Sequence, residues 1–251
     1  MSEIKTIWEE EVPVRSFETD FMERWKPACI FQAMQETATH HASHFGYAYK
    51  FMLAKDMIWI LSRVKVKFFA LPVLGDRVVI RTWPKGIQQK VFFMRDFQLM
   101  SPEGRQFAVA TTAWILVNPK ARRMLLPQAL PGTVPNNDGL SALDEPLEKI
   151  PLPDGMAERL QVLAGYSSVD LMGHVNNARY VEWISDCFGP EMHASRKLDW
   201  LQVNYINEVK PGESVSIAAA HSDSSPDLWA IQGANLATGA RAFEALVSWA
   251  N

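Results

Sequence analysis

Cysteine is scarce in this chain of 251 residues, which has only Cys29 and Cys187. Two cysteines without a Cys-x-x-Cys spacing make neither a disulfide framework nor a cysteine-based zinc site, so we expect a reducing compartment, the cytoplasm. The chain also has no run of about 18 uncharged apolar residues, and its N-terminal segment is acidic rather than apolar. We therefore expect no membrane insertion and no secretion signal.

Excess positive charge is also missing, because 25 Lys and Arg residues face 28 Asp and Glu residues, for a net charge of −3. This balance disfavours a general nucleic-acid binder or a protein that binds anionic membranes. The hydrophobic fraction of 48% is enough for a substantial core. A chain of this length forms either one large domain or two small ones.

The sequence contains two diverged copies of one unit. The segment "VRSFETDFMERWKPACIFQA" of the first half aligns with "AGYSSVDLMGHVNNARYVEW" of the second, which pairs Asp20 with Asp170 and Arg24 with His174. Farther along, "RVKVKFFALPVLGDRVVI" follows the same plan as "WLQVNYINEVKPGESVSI". The order of the matches is preserved, so we predict an internal duplication.

Each copy has the pattern of a short strand, a helix and several long antiparallel strands, which predicts an α+β architecture. The second helix carries apolar residues at helical spacing from Tyr180 to Phe188. The remaining predicted segments are a first helix from Pro27 to about Phe45, strands near 58–69, 77–83, 89–100 and 107–117, a first domain over 1–126, a Pro-rich connector over 127–155 and a second domain over 156–251.

The most informative stretch is "DLMGHVNNARYVEW", residues 170–183, in which an acid, a histidine and two amides precede an apolar helix. It resembles the signature of hot-dog-fold thioesterases. With the duplication and "VVIRTWPKG" in the first half, the chain is similar to the acyl-ACP thioesterases, which release fatty acids from acyl carrier protein. The resemblance implies a tandem double hot-dog fold, with each long central helix wrapped by an antiparallel sheet.

The resemblance also implies site residues. The acid, histidine and glutamate of the family correspond to Asp170, His174 and Glu208. Two positions differ from the plant enzymes, because Met172 stands where they have Asn and Val209 where they often have Cys. Met172 is more like the single-unit acyl-CoA thioesterases of the 4-hydroxybenzoyl-CoA type.

Thioester hydrolysis suits these residues, because a thiol leaves readily as thiolate and no serine nucleophile is needed. The chain has no G-x-S-x-G text. Asp170 and Glu208 are alternative bases for activating water, and we expect no metal and no organic cofactor. The helix beginning in "GHVNNA" offers N–H groups to an oxyanion. We expect Gly173 to allow close approach, Val175 or Asn176 to contribute the oxyanion N–H, and Asn176 or Asn177 to cap the helix.

The first copy has Arg24 in place of the histidine, so we expect only one active site and an acyl-chain tunnel in the first domain. The basic residues Arg63, Lys65 and Lys67 form either a solvated strand face or a docking surface for acyl carrier protein and its phosphopantetheine arm. Glu36, His40 and His44 share a helix face, but they lack the H-E-x-x-H motif of zinc hydrolases.

Two other functions stay open on the sequence alone. One is an acyl-CoA thioesterase with the same chemistry, and the other is a hot-dog protein that binds acyl thioesters without cleaving them. The sequence does not predict the length, branching or unsaturation of the acyl chain. The duplication is compatible with a monomer or with a homodimer.

Overall fold

The computed structural model describes residues 4–222 and 225–250. The chain forms two compact units, and the boundary between them falls between Leu147 and Glu148. Two short segments of the first half, Pro27–Phe31 and Lys65–Phe68, group with the second unit.

In its described residues, the first half of the chain has two α-helices and six strands. They are β1 (Trp8–Pro13), α1 (Pro27–His44), α2 (Tyr49–Ala54), β2 (Ile58–Phe68), β3 (Arg77–Gln88), β4 (Phe92–Met100), β5 (Gln106–Asn118) and β6 (Arg123–Leu125). The sheet order is β1-β3-β4-β5-β2, with β6 beside β5, and the pairs β1–β3, β3–β4 and β4–β5 are antiparallel. The predicted helix and the four predicted strands are all present.

The second half has the same kinds of element. They are β7 (Ala157–Leu163), α3 (Asn177–Asp186), α4 (Pro190–Ser195), β8 (Lys197–Tyr205), β9 (Ser214–Ser222), β10 (Ser225–Asn235) and β11 (Arg241–Ala250). Its sheet order is β8-β11-β10-β9-β7, antiparallel at every pair. A large antiparallel sheet with few helices confirms the α+β class.

Helix α3 is shorter than its apolar pattern suggests. It ends at Asp186, and Cys187 caps it, because Gly189 and Pro190 follow and a new helix begins there. The Phe188 ring nevertheless packs edge-on against Trp229 and Trp249, at 5.5 and 5.2 Å between ring centroids. The apolar pattern therefore continues beyond the last turn of the helix.

The predicted connector is packed rather than free. After a short 3-10 turn at Pro127–Ala129 it has no helix or strand before β7. Its apolar side chains Leu130, Leu143 and Leu147 are buried. The Ala142 N–H donates to the buried carboxylate of Asp96 at 2.8 Å. Apolar residues between the prolines thus bind this segment to the first unit.

Within the part of the chain that the structure describes, no helix is long and apolar enough to cross a membrane. The cytoplasmic location stays a prediction.

Candidate active site

Residues 169–175 of the second unit form a tight loop before helix α3. A β-bridge joins Val169 and Val175, and inside it the Asp170 N–H donates to the His174 carbonyl at 3.0 Å. Gly173 has a left-handed φ of +77°, a conformation that favours glycine, and its N–H donates to the Asp170 carbonyl at 3.0 Å. The loop therefore brings the backbones of Asp170 and His174 together. A Cβ added at Gly173 would meet no atom within 4 Å.

The Asp170 carboxylate is held by donors from its own loop and from the helix start. The Met172 N–H donates to Oδ1 at 2.8 Å, and the Asn176 side-chain amide donates to Oδ2 at 3.3 Å. Hydrogen bonds to both oxygens fix the orientation of the carboxylate.

His174 pairs with Glu208. Its Nε2 lies 3.0 Å from Glu208 Oε2, and the two side chains are 36% and 33% exposed. Beside the pair, the Val175 N–H donates to the Val209 carbonyl at 3.0 Å, which ties the loop after β8 to the residue after His174. The structure therefore brings all three predicted catalytic residues into one region, with a direct contact between His174 and Glu208.

Helix α3 begins with Asn176 as its N-cap and Asn177 as its first helical residue. Asn176 Oδ1 accepts the Ala178 N–H at 2.9 Å, as an N-cap side chain should. The capping role expected of Asn176 or Asn177 is thus filled by Asn176.

The two N–H groups expected to contact an oxyanion, those of Val175 and Asn176, already have acceptors in the structure. The Val175 N–H already donates to Val209, and the Asn176 N–H donates to the Ser168 carbonyl at 2.9 Å. In the described ranges the Asn177 N–H has no hydrogen-bond acceptor. The first helical N–H is normally left unpaired within a helix, so Asn177 has a backbone donor available.

Two tyrosines that the sequence did not point to border the site, Tyr180 buried and Tyr205 half-buried. The Tyr205 hydroxyl donates to the Asn177 carbonyl at 3.1 Å. Burial raises the pKa of Tyr180, and the charges of Asp170 and Glu208 raise it further. A comparison of the two copies could have pointed to these tyrosines. The first copy has the apolar residues Ile30 and Phe68 at the equivalent positions, so the hydroxyl groups are specific to the second copy.

The first copy repeats the loop but not its chemistry. The Asp20 N–H donates to the Arg24 carbonyl at 2.9 Å, the Trp25 N–H to Pro72 at 2.7 Å and the Lys26 N–H to Glu18 at 3.0 Å, as their counterparts do in the second copy.

The side chains of the first loop interact differently. The Arg24 guanidinium forms an ion pair with Asp20 at 2.8 Å. Burial alone would raise the pKa of Asp20, but hydrogen bonds from Arg24 outweigh it and the pKa is lowered. Since Pro72 is the counterpart of Val209, Leu71 stands where the second copy has Glu208. The first copy keeps the acid and lacks both the histidine and the glutamate.

The basic residues of β2 are half-buried, and two of them have partners. Arg63 donates to the Leu147 carbonyl of the connector, with its guanidinium over the Phe92 ring. The Lys65 ammonium lies 4.3 Å from the centroid of the Trp200 ring.

The polar residues on the face of α1 also have partners. His40 lies 2.7 Å from Glu10 and 3.1 Å from Glu36, while His44 Nε2 accepts the Lys5 N–H at 3.0 Å. In the described ranges, no group of three His, Cys, Asp or Glu side chains has the arrangement of a metal site.

Two family models match the chain, the acyl-ACP thioesterase N-terminal domain over residues 5–126 and the acyl-ACP thioesterase C-terminal domain over residues 154–251. The chain belongs to the acyl-ACP thioesterase family.

Individual proteins show the same likeness. The chloroplastic palmitoyl-acyl carrier protein thioesterase of Gossypium hirsutum is 26% identical over 216 residues, which are 80% of this chain and 52% of that protein. The chain thus spans about half the length of that relative.

Solved structures of related proteins share the fold. An acyl-ACP thioesterase from Bacteroides thetaiotaomicron VPI-5482 matches with a TM-score of 0.88 and 22% identity, over 100% of both chains. The 12:0-ACP thioesterase from Umbellularia californica matches with a TM-score of 0.78 and 20% identity, over 98% of this chain and 94% of that one.

Proposed function

We propose that this protein hydrolyses the thioester of fatty acyl-ACP and releases free fatty acid and holo-ACP. Family membership supports the reaction class. The observation that carries the proposal is the 3.0 Å contact of His174 with Glu208 next to the N-terminus of α3, where Asn177 offers an N–H. A base and an oxyanion donor are the two groups that thioester hydrolysis requires.

In the proposed reaction, the His174 and Glu208 pair takes a proton from a water molecule whose oxygen attacks the thioester carbonyl carbon. The Asn177 N–H and the positive end of the α3 dipole stabilise the oxyanion. The C–S bond then breaks, and the thiolate of the phosphopantetheine arm leaves and takes up a proton. Asp170, held by Met172 and Asn176, maintains the loop and adds negative charge near His174. Gly173 leaves room for the thioester.

We further propose that the chain is a tandem double hot-dog protein with divided roles. Residues 156–251 would carry catalysis, and residues 1–126 would hold the acyl chain. The repeated loop hydrogen bonds support the duplication, and Arg24 and Leu71 in the first copy support a single reactive site.

Carrier docking is proposed for the basic residues Arg63, Lys65 and Lys67 of β2, which are half-buried rather than enclosed in the core. Reversing both lysine charges should raise the KM for acyl-ACP and leave the KM for acyl-CoA nearly unchanged. An unchanged KM for acyl-ACP would exclude these lysines from docking.

A second candidate is an acyl-CoA thioesterase, favoured by Met172 at the position where the plant enzymes have Asn. It has the same chemistry and a different carrier, so its site residues are the same.

The test is free-thiol release from one acyl group presented on acyl carrier protein and on coenzyme A. The proposal predicts faster turnover of acyl-ACP, with kcat reduced by roughly 100-fold or more in Glu208→Gln. Asp170→Asn measures the contribution of the held carboxylate separately. Preference for coenzyme A would favour the second candidate, and binding without turnover by the folded protein would favour an acyl-thioester-binding protein.

A further inference from the structure

We propose that Tyr205 is a positioning residue that holds the first turn of α3, and with it the Asn177 N–H, beside the segment that carries Glu208. The inference rests on the proposed function, since it assigns Tyr205 a part in the same site.

The geometry concerns the end of β8, just before the glutamate of the site. Tyr205 is the last residue of this strand, and its hydroxyl donates to the Asn177 carbonyl at 3.1 Å. The next two residues are fixed to the sheet, because the N–H groups of Ile206 and Asn207 donate to the Ala242 carbonyl at 2.9 and 3.1 Å. The Tyr205 side chain therefore joins this fixed segment to the residue whose N–H is the proposed oxyanion donor.

The Tyr205 side chain is suited to this role. Its ring packs edge-on against the Tyr180 ring, at 5.5 Å between centroids, which limits the positions of the hydroxyl. Burial raises the pKa of Tyr205, so the hydroxyl keeps its proton at neutral pH and can donate it to a hydrogen bond. The first turn of α3 is thus held by a donor whose place and protonation are both fixed.

The first copy has the same backbone at the equivalent strand end. The N–H groups of Phe69 and Ala70 donate to the Phe107 carbonyl at 2.8 and 3.1 Å, as their counterparts do in the second copy. Phe68 therefore stands at the position of Tyr205, and it has no hydroxyl.

The first copy also lacks the N–H. Its helix α1 begins with Pro27, at the position of Asn177, and proline has no backbone N–H. The residues before the two helices have nearly the same backbone angles, φ −61° and ψ 138° at Lys26 and φ −62° and ψ 140° at Asn176. The copy without the proposed donor is thus also the copy without the tyrosine, as expected if the hydroxyl serves to place that donor.

This comparison supplies a variant that removes the donor with little disturbance of the helix, Asn177→Pro. Proline is favoured at the first helical position, the angles of Asn176 suit a following proline, and the carbonyl that Tyr205 binds remains. We expect kcat for acyl-ACP to be roughly 100-fold lower than in Asn177→Ala, which keeps the N–H. Equal kcat values in these two variants would overturn the inference, because Tyr205 would then have no donor to place.

The kinetic test of the tyrosine is Tyr205→Phe, alone and combined with Asn177→Pro. We expect the single change to lower kcat roughly 10-fold with little change in KM, because the oxyanion forms only in the transition state and a small displacement of its donor is costly. In the Asn177→Pro background the same change should have almost no further effect. Equal losses in both backgrounds would contradict the inference, since a residue that only stabilises the fold acts independently of the donor. The matched control is Tyr47→Phe, a buried tyrosine whose hydroxyl donates to connector carbonyls.

A second measurement does not depend on turnover. Amide hydrogen exchange at Ala178, whose N–H is capped by Asn176, reports how firmly the first turn of α3 is held. We expect at least about tenfold faster exchange at Ala178 in Tyr205→Phe than in wild type. Unchanged exchange at Ala178 would refute the positioning role even if the protein hydrolyses acyl-ACP. Faster exchange would support it even if wild type turns over neither carrier, so the two proposals fail separately.

Discussion

Asn176 lies where the loop of residues 169–175 meets helix α3, and its side chain has two partners. One end accepts the Ala178 N–H, and the other donates to Asp170. The equivalent residue of the first copy, Lys26, makes no side-chain capping bond to α1. The start of α3 is therefore capped by a side chain, whereas the equivalent start of α1 is not.

This difference predicts unequal effects of alanine. Asn176→Ala should lower the free energy of unfolding by about 1 kcal/mol, the usual cost of a lost N-cap. Chemical denaturation measures the change, and Lys26→Ala is the matched control, with an expected change near zero. Equal losses in the two variants would contradict the assignment of the cap.

Among residues, the resemblance to the acyl-ACP thioesterases implied Asp170, His174 and Glu208, and the structure brings them into one region. Residue types and spacing in the sequence also predicted a helix start after His174. They do not tell which N–H groups are already used, because the acceptors of Val175 and Asn176 are the carbonyls of Val209 and Ser168. Val209 is distant in sequence, and only the folded chain brings its carbonyl to the loop.

Helix α1 and strand β4 meet at a buried polar contact. Arg95 Nη1 lies 3.0 Å from His41 Nδ1, and His41 Nε2 lies 2.9 Å from the Lys5 carbonyl. Burial, with the nearby positive charge of Arg95, lowers the pKa of His41 to about 4. The folded protein therefore holds this imidazole neutral.

A pH dependence of stability follows. An unfolded histidine binds a proton below about pH 6.5, whereas the folded one does so only near pH 4. The contribution of His41 is thus complete above pH 6.5 and is lost as the pH falls toward 4. The free energy of unfolding, measured with urea at several pH values, should fall less steeply between pH 6.5 and 4 in His41→Gln than in wild type. The same slope in both proteins would count against a neutral His41.

The connector was predicted from its prolines as an irregular segment, which it is, but its packing was not predicted. Periodic patterns predict helices and strands, whereas an irregular segment is held by individual contacts that leave no period in the sequence. Here Asp96, which is fully buried, binds the Ala142 N–H and lies 3.1 Å from the Lys85 ammonium.

Removing this carboxylate should loosen the connector. Asp96→Ala leaves Lys85 without its buried partner, so the free energy of unfolding should drop by roughly 3 kcal/mol. Limited proteolysis should then cut within 130–147 sooner than in wild type. The exposed connector carboxylate of Asp144 gives the matched control, Asp144→Ala. Equal cleavage rates in Asp96→Ala and the control would show that the connector is held by other contacts.

For the whole molecule, the described residues contain two loops with the same backbone hydrogen bonds, and one of these loops has the complete set of polar side chains. Both loops contain the acid, Asp20 in one and Asp170 in the other. In each loop its carboxylate accepts the backbone N–H of the residue two positions later and so helps to shape the turn. The histidine and glutamate are present only in the second copy, where they lie in contact. The two copies thus share the backbone hydrogen bonds of the loop but differ in the side chains that the proposed reaction uses.

The central claim is that the second copy alone carries out thioester hydrolysis, and it is tested most directly at the equivalent positions His174 and Arg24. The measurement is the rate of free-thiol release from acyl-ACP by His174→Ala and by Arg24→Gln, both checked for folding by circular dichroism. We expect the His174 variant to lose roughly 100-fold or more of kcat, and the Arg24 variant to stay within about threefold of wild type. A loss at Arg24 as large as that at His174, or normal turnover by His174→Ala, would contradict the account.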